Sequence, residues 1–213
     1  MPKEYELRFM NFKKNDIINK LKSLGAKQVH KAVIYEYIVY IHPLKVKNTY
    51  IRVRKEFNNI TFTYKTNINK KFVDEYELNI SNYEIFNYIL KNLGFKKAYG
   101  IQKLREKWKI SGCKEIVFDT YPGLPEYMEV ECDTEEKLDK LVKKLDLMEE
   151  KLFHPGTMYE SLYGAKNKKA KKGAELTFNT AKKVFIKRIK KNKSLFLSIL
   201  KAQQKYVKSL SNE

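Results

Sequence analysis

The sequence predicts an α+β fold in which one large sheet presents charge and helices cover its apolar side. Three observations lead there. Eight segments alternate apolar with charged or polar residues at the two-residue period of a strand. Three others carry helix start and stop signals. In seven of the eight strand-like segments, ionised or hydroxyl side chains fall on one face and apolar ones on the other.

Each element follows in chain order. In Glu4-Tyr5-Glu6-Leu7-Arg8-Phe9, alternation sets Glu4, Glu6 and Arg8 against Tyr5, Leu7 and Phe9. A helix from Asp16 to Leu24 ends at Gly25. Val33 to Ile41 reads as a more apolar strand without an ionised face. From Tyr50 to Lys55, Arg52 and Arg54 oppose Ile51 and Val53; next, Thr61, Thr63 and Lys65 oppose Phe62 and Tyr64. Glu75 and Glu77 oppose Tyr76 and Leu78. Ser81-x-x-Glu84 reads as a capping box for a helix that stops at Gly94. Lys103, Arg105, Lys107 and Lys109 then oppose Leu104, Trp108 and Ile110, with Glu106 an exception on the apolar side. Asp119 opposes Ile116 and Phe118, while Glu129 and Glu131 oppose Met128, Val130 and Cys132. Asp133-x-x-Glu136 reads as a second capping box, opening a helix to about Leu145, and a short helix follows near 157–162.

Composition bounds the rest. A chain of 213 residues suits one full domain plus an extension, and 43% apolar with 13% aromatic residues excludes global disorder. The boundary is expected at 1–164 for the domain and 165–213 for a basic, helical C-terminal extension. That extension holds a Lys-rich linker from Lys166 to Gly173, a helix capped by Asn179, and a further helix from Ser194 to Leu210. The net charge is +19, and it is concentrated in the extension, which leaves it open to contact with nucleic acid. Cys113 and Cys132 are too few for a disulfide scaffold and read as ordinary small buried or loop residues. His30, His42 and His154 are too scattered for a histidine metal centre. No apolar run approaches the ~18 residues of a membrane span, so an intracellular, cytoplasmic protein without a membrane partner is expected.

The charged faces divide by sign. Acidic strands carry Glu4/Glu6, Glu75/Glu77, Asp119 and Glu129/Glu131; basic ones carry Arg52/Arg54, Lys65 and Lys103/Arg105/Lys107. Only five of the 44 basic residues are arginine, and four of them, Arg8, Arg52, Arg54 and Arg105, fall in these strands. If the sheet closes on itself, all these groups line one lumen. Paired carboxylates suit hard divalent cations, and guanidinium forks suit phosphate oxygens.

In order, the motifs Glu4-x-Glu6-x-Arg8, Arg52-x-Arg54, Lys65, Glu75-x-Glu77, Lys103-x-Arg105-x-Lys107, Asp119 before Pro122-Gly123, Glu129-x-Glu131 and Tyr159-x-x-Leu162 resemble the CYTH superfamily, the triphosphate tunnel metalloenzymes. Arg8 stands where the family signature carries lysine. The resemblance spans Met1 to about Gly164 and implies an eight-stranded antiparallel β tunnel with helices packed outside. It implies Mg²⁺ or Mn²⁺ held by Glu4, Glu6, Glu77, Asp119, Glu129 and Glu131, with Glu4, Glu6, Asp119, Glu129 and Glu131 in catalysis. Phosphate would be held by Arg8, Arg52, Arg54, Lys65, Lys103, Arg105 and Lys107. The implied activity is hydrolysis of a triphosphate: inorganic, nucleotide or an RNA 5′ end. The alternatives are a class IV-type adenylyl cyclase making cyclic AMP, and a non-catalytic binder of polyphosphate or nucleic acid.

Overall fold

The structure is a computed structural model and describes residues 5–66, 74–147, 155–165 and 174–210. Glu4 and the Lys166–Gly173 linker lie outside the described residues. The strands are β1 (Tyr5–Phe9), β2 (Lys27–Ile41), β3 (Tyr50–Glu56), β4 (Asn59–Thr66), β5 (Asp74–Asn79), β6 (Lys96–Ile110), β7 (Cys113–Thr120), β8 (Tyr127–Cys132) and β9 (Ala174–Leu176). The helices are α1 (Lys14–Ser23), α2 (Tyr83–Asn92), α3 (Glu135–Leu145), α4 (Pro155–Tyr163), α5 (Ala181–Phe185) and α6 (Lys193–Leu210). All eight expected strands form, in the order β1-β8-β7-β6-β2-β3-β4-β5, and every neighbouring pair is antiparallel. They make a curled half-barrel whose hydrogen-bonded path ends at β1 and β5.

Register decides which face each residue serves. Arg8 pairs with Glu129, Arg105 with Asp119, Arg52 with Thr63, and Lys65 with Glu75, so the charged sets share the concave face. Apolar side chains gather in three clusters, two of them on the outward face under helices and the third closing round the β7–β8 turn. Phe9, Ile116, Phe118, Met128 and Val130 pack under α1 and α3 through Ile17, Leu21, Leu138, Leu141 and Leu145. Ile51 and Val53 pack under α2 through Leu90 and Phe86. Leu104, Tyr121, Leu124 and Tyr127 pack with Tyr159 and Tyr163 of α4, and with Phe185, Phe196 and Leu200 of α5 and α6. The described part of the extension, from β9 to α6, therefore lies against the sheet. Its short strand β9 runs parallel to Tyr99–Ile101 of β6.

Several local expectations need correction. The cap of α2 is Asn82, whose side chain accepts from the Ile85 N–H, and the cap of α3 is Thr134, which accepts from Lys137. Each lies one residue after the expected Ser81 and Asp133; Asp133 instead pairs with Lys137 at 2.8 Å. Strand β2 begins at Lys27, well before Val33, because β6 offers it an equally long partner, with two register shifts between Gln28 and Val33 and a third at Val39/Tyr40. Thr180, not Asn179, is the residue before α5.

Cys113 and Cys132 are not ordinary buried thiols. They face each other across β7 and β8 as register partners and form a disulfide. Closing a 19-residue separation restricts the unfolded chain, worth about 3 kcal/mol in the loop-entropy picture. Titration of the unfolded, unreduced protein with a thiol reagent should find no reactive cysteine. Dithiothreitol should then release two thiols and lower the unfolding free energy by up to about 3 kcal/mol; equal stability with and without reductant would contradict the bond.

Candidate active site: a charged cavity in the concave face

The curl of the sheet encloses a cavity of about 660 Å³ lined by nine basic and six acidic side chains. Glu6, Arg8, Arg52, Arg54, Lys65, Glu77, Lys103, Arg105, Lys107, Glu129 and Glu131 all line it. Strand alternation on six different strands delivers them, so no single loop sets the site.

The wall made by β3, β4 and β5 is mostly basic. Arg54 donates to Thr61 Oγ1 at 2.9 Å and to both Glu77 oxygens at 3.1 and 3.2 Å, and Lys65 pairs with Glu75 at 2.7 Å. Arg52 is held more loosely. It donates to Thr63 Oγ1 at 3.4 Å and lies 5.9 Å from the centres of the Tyr37 and Tyr50 rings. Its buried Nε has no hydrogen-bond partner among the described residues. A buried donor left open costs free energy, so this guanidinium is poised for an anionic acceptor.

The floor, made by β6 and β7, is a buried ion cluster. Asp119 is fully buried, and Arg105 grips it in a two-point fork, Nε to Oδ1 and Nη2 to Oδ2, both at 2.8 Å. Lys103 makes a short contact to Oδ2, and Tyr127 donates to the same oxygen at 3.3 Å. Burial alone would favour the neutral acid. The charges of Arg105 and Lys103 outweigh it and hold the carboxyl at about 2. With its oxygens taken up, Asp119 lies beneath the cavity surface and fixes the two cations that do reach it.

The wall made by β8 and β1 is acidic. Glu6 and Glu131 are register partners, and Arg8 bridges Glu6 at 2.5 Å and Glu129 at 2.9 Å. Glu131 also takes Lys114 at 2.8 Å. These carboxylates match the donor chemistry of a hard divalent cation. Among the described residues no three acidic, histidine or cysteine groups already converge as a metal cluster. Glu6, Glu129 and Glu131 therefore fit such an ion by donor type, each now engaged with a base.

Sequence reasoning missed part of the site. Glu115 of β7 is the register partner of Glu131 and lines the cavity. It pairs with Arg105 at 3.1 Å and Lys107 at 2.7 Å. Burial opposes its charge, but Arg105 and then Lys107 pull its pKa below the usual range. Glu56, at the end of β3, accepts from His30 Nε2 at 3.4 Å and lies 3.7 Å from Lys107. Burial is again overcome, by His30, Arg105, Lys107 and Arg54, and the Glu56 pKa sits at about 2. Tyr35 is the centre of the basic side: Lys103 and Arg105 lie 4.4 and 4.7 Å from its ring centre. Burial should raise its pKa. Arg52, Lys103, Arg105 and Arg54 nonetheless draw it below the ordinary value for a tyrosine, which marks a positive potential at the cavity floor.

With this geometry in place, the protein-family comparison is decisive: the model described as CYTH domain matches residues 2–162. The chain belongs to the CYTH family. A curated protein of Methanocaldococcus jannaschii, named "Putative adenylate cyclase", is 31% identical over 152 residues, covering 67% of this chain and 85% of that protein. A solved Pyrococcus horikoshii OT3 protein is 26% identical with a TM-score of 0.53, covering 75% of this chain and 99% of the other. A Vibrio parahaemolyticus structure, also titled as a putative adenylate cyclase, shares the fold at 15% identity and a TM-score of 0.60, covering 74% and 97% of the two chains. CYTH enzymes are triphosphatases or cyclases, and their dependence on divalent metal agrees with the donor chemistry of the acidic wall. No described helix is long and apolar enough to cross a membrane.

The ion cluster predicts acid sensitivity. Asp119, Glu56, Glu115 and Glu106 all have depressed pKa values in the folded CYTH chain. A carboxyl so depressed adds stability above its unfolded pKa near ~4, and that stability is lost as pH falls through the folded value. Unfolding free energy should therefore fall between about pH 4 and pH 2. Glu126, lifted by burial, takes its proton first and tempers the upper end. Asp119→Asn should flatten this decline while costing about 3–5 kcal/mol at neutral pH, because Arg105 and Lys103 stay buried without their anion. Urea unfolding across that pH range measures both effects, and an unchanged acid limb in the variant would contradict the assignment.

Proposed function

We propose that this CYTH chain hydrolyses the terminal phosphoryl group of a triphosphate bound in the concave cavity, in a reaction that depends on Mg²⁺ or Mn²⁺. The substrate class is inorganic triphosphate, a nucleotide or an RNA 5′ triphosphate. The observation that carries this reading is the polarised cavity. A positive floor and wall, with the unpartnered Arg52 Nε, face carboxylates on β1 and β8 across one enclosed space.

The residues divide the work by position. Arg52, Arg54, Lys65, Lys103, Arg105 and Lys107 hold the phosphate chain, and their fixed charges offset the charge that develops as the bridging P–O bond breaks. Arg8 reaches in from the opposite wall. Glu6, Glu129 and Glu131, with Glu77 across the cavity and Glu4 preceding β1, are the carboxylates for the divalent ion, which supplies charge neutralisation when bound. A water held near Glu129 and Glu131 attacks the terminal phosphorus. Its oxygen joins that phosphorus, the bridging oxygen leaves with the diphosphate, and the water's proton passes to a carboxylate or to solvent. Asp119 acts by positioning Arg105 and Lys103. Phosphoryl transfer of this kind rests on alignment and electrostatics, which a rigid barrel wall supplies.

The name carried by the Methanocaldococcus relative favours a second reading, cyclisation of ATP, in which a ribose oxygen replaces water. Incubation with tripolyphosphate, ATP or 5′-triphosphate RNA plus Mg²⁺ or Mn²⁺, with products identified by ³¹P NMR, separates the two. Orthophosphate is the expected product and EDTA should abolish it; cyclic AMP and diphosphate would establish the cyclase instead. Arg52→Ala and Arg54→Ala should each lower kcat/KM at least tenfold, about 1.4 kcal/mol, with native circular dichroism. Undiminished turnover in either variant would remove that residue from the phosphate cage.

A further inference from the structure

The CYTH match ends at residue 162, yet α6, far beyond it, reaches the turn that joins β7 and β8, two of the strands that carry cavity acids. Gln203 of α6 is buried and spends its whole amide on that turn. Its Oε1 accepts from the Gly123 N–H at 2.7 Å, and its Nε2 donates to the carbonyls of Leu124 at 2.9 Å and Tyr121 at 3.2 Å. Phe196, also of α6, closes over Gly123. A Cβ at this glycine, whose φ is +78°, would fall 2.2 Å from the Phe196 ring. From α4, Tyr159 and Tyr163 donate to the Pro122 and Gly123 carbonyls at 2.7 and 2.5 Å.

What the turn holds is the cavity floor. Asp119 precedes it by two residues and Tyr127 closes it. The Tyr121 ring stacks on Tyr127 at 6.2 Å and lies 5.6 Å from Lys103 Nζ. Tyr127 in turn donates to Asp119, which fixes Arg105 and Lys103. A continuous path of packed and hydrogen-bonded groups thus runs from α6 to two cations of the phosphate cage. Ordinary core helices meet a sheet through apolar contacts; a buried amide satisfying three backbone groups of one turn specifies that turn's position.

We propose that α6, beyond the CYTH match, is a built part of the active site, with Gln203 a positioning residue that sets Lys103 and Arg105 through the β7–β8 turn. The proposal rests on the reading that this cavity binds a triphosphate.

The test uses the full chain and two variants of α6. Gln203→Met keeps the length and volume of the side chain and removes all three hydrogen bonds; Phe196→Leu loosens the cover on Gly123 and serves if the first variant does not fold. Leu141→Ala, in the separate cluster under α3, is the control for lost stability alone. At a temperature well below melting, Gln203→Met should lower kcat/KM for tripolyphosphate at least tenfold and weaken tripolyphosphate binding in calorimetry. Phe196→Leu should do so in the same direction to a smaller extent. Leu141→Ala should lower the melting temperature without changing either quantity. Amide exchange should quicken at residues 119–127 in the α6 variants and not in the control. Wild-type kinetics in a folded Gln203→Met, or losses no larger than those of Leu141→Ala, would overturn the positioning role. A wild-type protein that neither binds nor cleaves tripolyphosphate would instead overturn the functional reading. The amide-exchange comparison would still decide whether α6 sets the turn.

Discussion

The fully buried carboxylate of Asp119 is the constraint on which the concave face depends. An ionised group out of reach of water is tolerated only when opposite charge and hydrogen bonds surround it. Arg105 and Lys103 supply the charge and Tyr127 a hydrogen bond, which dictates the register of β6 against β7 and of β7 against β8. Once that register is set, alternation carries Lys107, Glu115, Glu129 and Glu131 to the same face. The arrangement offers little net stability of its own, since desolvation offsets much of the attraction. Stability comes chiefly from the three apolar clusters, which bury Val53, Ile116, Val130, Leu21, Leu145 and Phe196 almost completely, two of them on the outward face. There the chemistry and the packing are on opposite sides of the same strands.

That division explains how one sheet presents both signs of charge without collapsing into neutral pairs. Most of the bases that line the cavity have an acid partner, such as Arg8 with Glu129 or Lys65 with Glu75. On the proposed reading, a polyphosphate entering the cavity would exchange these contacts for its own, and the carboxylates so released would become available to a cation. Arg52 is the position where no exchange is needed at its Nε. Tyr35 feels the four cations Arg52, Lys103, Arg105 and Arg54, which together outweigh its burial and lower its pKa.

Much of this was legible in the sequence, because strand alternation is a local property and the charged residues keep to it over many segments. What depended on contacts distant in sequence was not. Alternation sets Glu115 on the face of Asp119, but apolar Val117 stands between them and breaks the charge pattern, and the pairing of Glu115 with Glu131 past the register irregularity near Cys113 needed the sheet itself. The disulfide required the same register. The caps at Asn82 and Thr134 were misplaced by one residue because each stands beside another good capping side chain, Ser81 or Asp133, and only the backbone geometry selects between them. Strand β9 has three residues and is held by β6, too short to announce itself by period. Gln203 carried no signal at all: a glutamine in a basic helix reads as surface until the turn it satisfies is brought beneath it.

The central claim is that the concave face is a polarised cage for a triphosphate with a divalent ion. A crystal structure with tripolyphosphate and Mn²⁺ tests it most directly. The account predicts phosphate oxygens within hydrogen-bond reach of Arg52, including its Nε, and of Arg54, Lys65 and Arg105. It also predicts an anomalous manganese peak against Glu6, Glu129 and Glu131. An anion bound only on the lysine-rich outer surface, with the cavity pairs Arg8–Glu129 and Lys65–Glu75 undisturbed and no manganese in the cavity, would contradict it.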